Sequence, residues 1–146
     1  PAENMHLTLR FAGDIDDHQA DDFADQLAEI VSPGFSLTIC GTGAFGGSKP
    51  HTIFASLLPS DELAALQRAH DRAARAVGLP PEARAFHPHV TLARLRSGRP
   101  ATIARFLEET GDLRLPSFDV SRFVLMSARP GVGGGPYAVE AAYDLD

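Results

Sequence analysis

The tetrapeptide His6-Leu7-Thr8-Leu9 returns in kind 83 residues later as His89-Val90-Thr91-Leu92, and each copy sits in an extended-looking segment. Met5, Leu7, Leu9 and Phe11 alternate with His6, Thr8 and Arg10, the period-two pattern of a strand with one apolar and one polar face. Residues two apart on a strand point the same way, so each imidazole stands beside its own hydroxyl. Two such strands facing each other bring two His and two Thr into one cleft. The chain is thereby bound to a β-structure that joins segments distant in sequence. The grouping itself is a metal-free acid–base site with hydroxyl donors for an oxyanion.

Around these two strands the pattern predicts alternating elements. Asp14 to Asp17 supply turn and cap residues, and Ala20, Phe23, Leu27, Ile30 and Val31 recur at helical spacing until Pro33-Gly34 stops the helix. A strand follows over 35–40, a glycine-rich loop over 41–47 and a further strand over 52–58. Ser60 caps a second helix with Leu63, Leu66, Ala69, Ala73, Ala76 and Val77 inward and Gly78 at its end. The second motif strand spans 86–95, and a short helix starts after Pro100 and ends at Gly111. Strands over 118–127 and 137–145 close the chain, joined by a flexible loop over 130–136. This order predicts an α+β fold in which the motifs are matching strands of two similar halves.

At 146 residues the chain is the size of one compact domain, read as a single bilobal unit over 1–146. Its net charge of -6 argues against non-specific duplex binding, which needs a basic face. The charges are segregated, however. Residues 14–29 hold seven carboxylates and no Lys or Arg, whereas 83–107 hold Arg84, Arg94, Arg96, Arg99 and Arg105 and no acid. A basic margin around the second motif suits a small anionic ligand better than a long polyanion. One cysteine, Cys40, rules out an internal disulfide and reads as a buried, inert thiol. No signal peptide and no apolar run near membrane-spanning length are present, so a cytoplasmic, membrane-free monomer is the expectation.

Two copies of His-x-Thr, each followed by Leu and by an Arg within five residues of the His, resemble the 2H phosphoesterase superfamily. The chain is most similar to its RNA 2′,3′-cyclic phosphodiesterases, also described as 2′–5′ RNA ligases. The matching stretches run from Asn4 through His6, Thr8 and Phe11 to Gly13, and from Arg84 through His87-Pro88-His89 and Thr91 to Arg94. Leu125 to Ser127 and Gly135-Pro136-Tyr137 look like the family's closing strands. Family members usually begin with a further strand and helix, which are expected to be absent here. The family position after the first His-x-Thr-Leu varies, so Arg10 is no violation.

The resemblance implies a two-lobed fold, with antiparallel sheets lining a central cleft and helices outside. It also implies hydrolysis of a 2′,3′-cyclic phosphate at an RNA end to a 2′-phosphate, with no cofactor. Such chemistry needs a base for water and an acid for the departing 3′ oxygen. Two imidazoles serve both roles near neutral pH because their ordinary pKa is about 6.5. By family analogy His89 is the general base and His6 the general acid. Thr8 and Thr91 would donate to the non-bridging oxygens, and Arg94 would neutralise charge there. Strict alternation puts Arg94 on the face opposite His89, so it must lie past a strand end or bulge. In this family a residue at Phe11 can stack on a nucleobase, but its parity groups it with core residues Leu7 and Leu9. Two alternatives remain: action on small cyclic nucleotides or an ADP-ribose cyclic phosphate, and a non-catalytic module that binds RNA ends.

The other candidates have plainer readings. His87 and His89 share one side, yet a lone Cys and no nearby carboxylate pair make a poor metal set, so His87 is read as fixing the strand entry. His51 reads as a surface residue, and His18 and His70 as solvent-facing or packing residues on helices. The 41–47 stretch lacks the Gly-Lys-Ser/Thr of a nucleotide-phosphate loop, and Phe45 reads as its anchor. Arg96 and Arg99 are solvated charges that can meet the phosphates of a longer RNA. Tyr137 is a core or strand-pair residue.

Overall fold

The computed structural model describes residues 5–96, 99–132 and 135–146. In chain order the elements are α1 (Asp17–Ala28), β1 (Phe35–Leu37), β2 (Ile39–Phe45), β3 (Thr52–Leu57), α2 (Asp61–Ala76), β4 (His89–Arg94), α3 (Pro100–Thr110), β5 (Phe118–Val120), β6 (Arg122–Val132) and β7 (Gly135–Asp144). The α+β class holds, and the two larger pairings, β2-β3-β4 and β6-β7, are antiparallel. The chain divides into two compact units, each assembled from three separate stretches. The first unit comprises Pro1–Thr8, Ser36–Pro59 and His87–Phe118, and the second Leu9–Phe35, Ser60–Phe86 and Asp119–Asp146.

The first unit is built on the sheet β2-β3-β4, with α3 against β2. Phe54, Ala55, Leu37 and Ile103 are its buried apolar residues, and Thr52 is buried with them. The expected loop over 41–47 is instead strand up to Phe45. The register against β3 slips by one residue between Ile39 and Thr42, and Gly41, at φ 72°, lies within the slip. A glycine in left-handed backbone absorbs the extra residue of a bulge, so the strand continues past it. Gly43 then takes the close approach of Phe54. A Cβ on residue 43 would stand 2.5 Å from that ring.

The second unit packs α1 on α2 around Phe23, Leu27, Leu66, Ala73, Ala74, Leu79 and Phe123. Both helices start where the sequence places their caps: Asp16 accepts from the Gln19 amide at 2.7 Å and Ser60 from the Leu63 amide at 3.1 Å. The first helix stops at Ala28, earlier than expected, which leaves Val31 exposed. The β6–β7 hairpin also runs further than expected, to Val132 and from Gly135, so most of the stretch over 130–136 is strand. Residues 118–127, expected as one strand, divide into β5 and β6 at Ser121.

The first motif departs most from expectation. Residues 5–11 do not form a regular strand; one antiparallel bridge, Leu7 to Val90, is their β-pairing among the described residues. His6 to Thr8 and the whole second motif belong to the first unit, so the two His-x-Thr tripeptides do not lie in separate units.

Candidate active site

The Leu7–Val90 bridge decides where the motifs meet. Antiparallel pairing of these two sets His6 beside Thr91 and Thr8 beside His89 along the backbone, and His89 and Thr91 share the face of β4 opposite Val90. His6, Thr8, His89 and Thr91 are each half-buried, as suits groups that must meet a solute.

On the other edge β4 pairs with β3, Ser56 opposite His89 and Phe54 opposite Thr91. The next pair is Ile53 with Ala93, so Leu92 has no partner and the register slips by one residue there. This slip restores the parity that strict alternation denies. Thr52 stands opposite Arg94, and residues 52, 54 and 56 share a face, so Arg94 lies on the same face as His89 and Thr91. Its side chain is exposed.

Four rings gather on this face. Phe45 stands 4.4 Å from Phe54, and both approach His89, at 5.0 and 5.4 Å between centroids. His87 lies edge-on to Phe45 and Phe54 at 5.4 and 5.3 Å. Phe45 is therefore a wall beside His89 rather than a loop anchor. Phe54 was missed from the sequence; its position two residues past Thr52 in an apolar strand carries no sign of the histidine it packs against. The Nδ1 of His89 lies 2.7 Å from the carbonyl oxygen of His87. A carbonyl only accepts, so Nδ1 carries the hydrogen and the Nε2 of the neutral ring holds the free lone pair. His87 thus serves the site through its backbone.

Two residues of the first segment lie in the second unit. Phe11 is 69% exposed, so it is not the core residue its parity suggested. Arg10, on the polar face of the sequence pattern, has a side chain only 2% exposed. It lies 3.5 Å from both Asp71 and Glu82 and donates to the Pro80 carbonyl. Of the remaining histidines, His51 is exposed and His18 lies at the surface beside Asp22. His70 is buried, donates from Nδ1 to the Leu66 carbonyl at 2.9 Å and meets Phe123 edge-on. Cys40 is half-buried rather than buried. Tyr137 pairs with Ala128 in the hairpin. Among the described residues no group of three or more His, Cys, Asp or Glu side chains is placed to hold a metal ion, and no helix is long and apolar enough to cross a membrane.

Antiparallel sheets that bring two His-x-Thr segments side by side define the class of two-histidine phosphoesterases. Within it the chain belongs to the 2′-5′ RNA ligase superfamily, whose family model matches residues 1–131. It is 35% identical to an RNA 2′,3′-cyclic phosphodiesterase of Aeropyrum pernix over 82% of this chain and 69% of that protein. A Bacillus subtilis protein of the same name is 31% identical over 82% of this chain and 67% of its own length. Among solved structures, Escherichia coli LigT in apo form superimposes with a TM-score of 0.77 at 25% identity, covering 99% of this chain and 78% of LigT.

Proposed function

We infer that the protein hydrolyses 2′,3′-cyclic phosphate ends of RNA to 2′-phosphates, with His89 as general base and His6 as general acid. The observation that carries this reading is the Leu7–Val90 bridge, which runs the first His-x-Thr segment alongside the second. The relatives named as RNA 2′,3′-cyclic phosphodiesterases give the substrate class. Nε2 of His89 takes a proton from water as the water oxygen bonds to phosphorus. The bond from phosphorus to O3′ breaks, and the protonated His6 gives its proton to that oxygen. Thr8 and Thr91 donate to the non-bridging oxygens, where Arg94 balances the developing charge. Phe11 is exposed enough to stack on a base. An RNA-end substrate also suits the cytoplasmic, monomeric state expected from the sequence.

The test is a short RNA ending in a 2′,3′-cyclic phosphate, incubated with the protein in EDTA and followed by identification of the product end. A 2′-phosphate is expected, with a bell-shaped pH dependence. His6→Ala and His89→Ala should each lower kcat by about 10²–10⁴-fold, the usual contribution of a positioned acid or base. Full activity in both variants would refute the mechanism, and binding without product would leave a module that only recognises RNA ends.

A further inference from the structure

The charge segregation of the sequence maps onto the two units. The first unit carries six basic residues (Lys49, Arg94, Arg96, Arg99, Arg105 and Arg114) against four acidic ones, a net charge of +2. The second carries seven basic against fifteen acidic, a net charge of -8. A polyanion that reaches the histidines is therefore favoured by the unit that holds them and repelled by the other.

Within the first unit the cations are not spread evenly. The turn joining β2 to β3 is closed by the Lys49 amide on the Gly46 carbonyl and the His51 amide on the Phe45 carbonyl, each at 3.0 Å. The Leu95 amide donates to the His51 carbonyl at 2.8 Å, which fixes the end of β4 against that turn. Lys49, Arg94 and Arg96 thus stand at one end of the sheet, all exposed. Among the described residues none of the three is in an ion pair, whereas Arg10 and Arg75 are both committed to Asp71. Arg94 follows His89 by five residues on β4, one of them taken up by the slip at Leu92, so these cations continue the face that carries the base.

We propose that Lys49 and Arg96, continuing from Arg94, form a subsite for the backbone phosphates of the RNA strand that precedes the cyclic end. The proposal rests on the cyclic-phosphate reading above and goes beyond it. A cyclic end occupies the 3′ terminus, so the remaining strand must leave the histidines in one direction. Unpaired cations joined to the site along β4 offer that strand counter-charge. The subsite would make the protein an enzyme of RNA ends rather than of free cyclic mononucleotides.

The experiment compares a nucleoside 2′,3′-cyclic monophosphate with a short oligoribonucleotide bearing the same cyclic end, for the parent and for a Lys49→Glu/Arg96→Glu double variant. The parent should show a lower KM for the oligomer. The double variant should raise that KM at least about tenfold and flatten its salt dependence by about 1.4 in log–log slope, two contacts at about 0.7 each. Turnover of the mononucleotide should stay within about twofold. Equal loss on both substrates, or no preference in the parent, overturns the subsite. Fluorescence anisotropy with the same oligomer provides a readout independent of turnover. If neither substrate is hydrolysed, the catalytic reading fails; weaker oligomer binding by the double variant still supports the subsite, and unchanged binding overturns it.

Discussion

At the scale of single residues, the catalytic reading depends on which nitrogen of His89 is free, and a backbone carbonyl decides that. The His87 carbonyl holds Nδ1, so Nε2 is the basic atom. The histidine–threonine spacing was legible because parity on a strand is local. Arg10 was not legible, because an Arg on a polar face normally extends into water. Its burial comes from Asp71 and Glu82, about sixty to seventy residues away, which no local pattern announces. Arg10→Ala should destabilise the fold by about 2 kcal/mol, below the roughly 3–5 of a sealed pair because the Asp71 and Glu82 side chains are only partly buried. Urea unfolding at constant m measures this, and an unshifted midpoint would show that the pairs contribute nothing.

At the scale of elements, the strands were misplaced where glycine or a slip intervenes, and alternation over residues 5–11 did not yield a strand. The slip at Leu92 returns Arg94 to the face that carries His89 and Thr91, removing the conflict of parity that strict alternation raised. The sequence demanded such a slip but did not locate it. Glycines at 41 and 43 suggested a loop, yet one serves a bulge and the other admits the Phe54 ring. On α2, burial holds the His70 imidazole below its ordinary pKa, partly opposed by its hydrogen bond to the Leu66 carbonyl. The unfolded chain binds that proton near pH 6.5 and the folded chain only at lower pH. The neutral buried form is therefore fully favourable above about pH 6.5, and stability is lost as pH falls toward the folded value. His70→Leu should remove that part of the decline, seen as a smaller drop in urea midpoint between about pH 7.5 and about pH 5. An identical drop in parent and variant would exclude His70 as its source.

At the scale of the whole molecule, the chain crosses between its units several times, yet both motifs end in one unit and most of the acid in the other. Asp21 and Asp22 are exposed on α1 in the acidic unit. Reversing them together, Asp21→Lys/Asp22→Lys, should increase low-salt retention of RNA that lacks a cyclic end, with mononucleotide turnover unchanged. Filter binding across a salt series checks this, and unchanged retention would mean the acidic unit does not repel RNA. The sequence by itself determined the class of fold, the two helix caps and the family resemblance, because capping and a repeated tripeptide are short-range signals. Only the tertiary structure decided that Leu7 pairs with Val90, that Arg94 shares a face with His89, that Phe45 and Phe54 line His89, and that Arg10 is buried. Each of these is set by register between strands or by partners distant in the chain. Register and burial depend on the whole set of long-range contacts, not on the residues on either side.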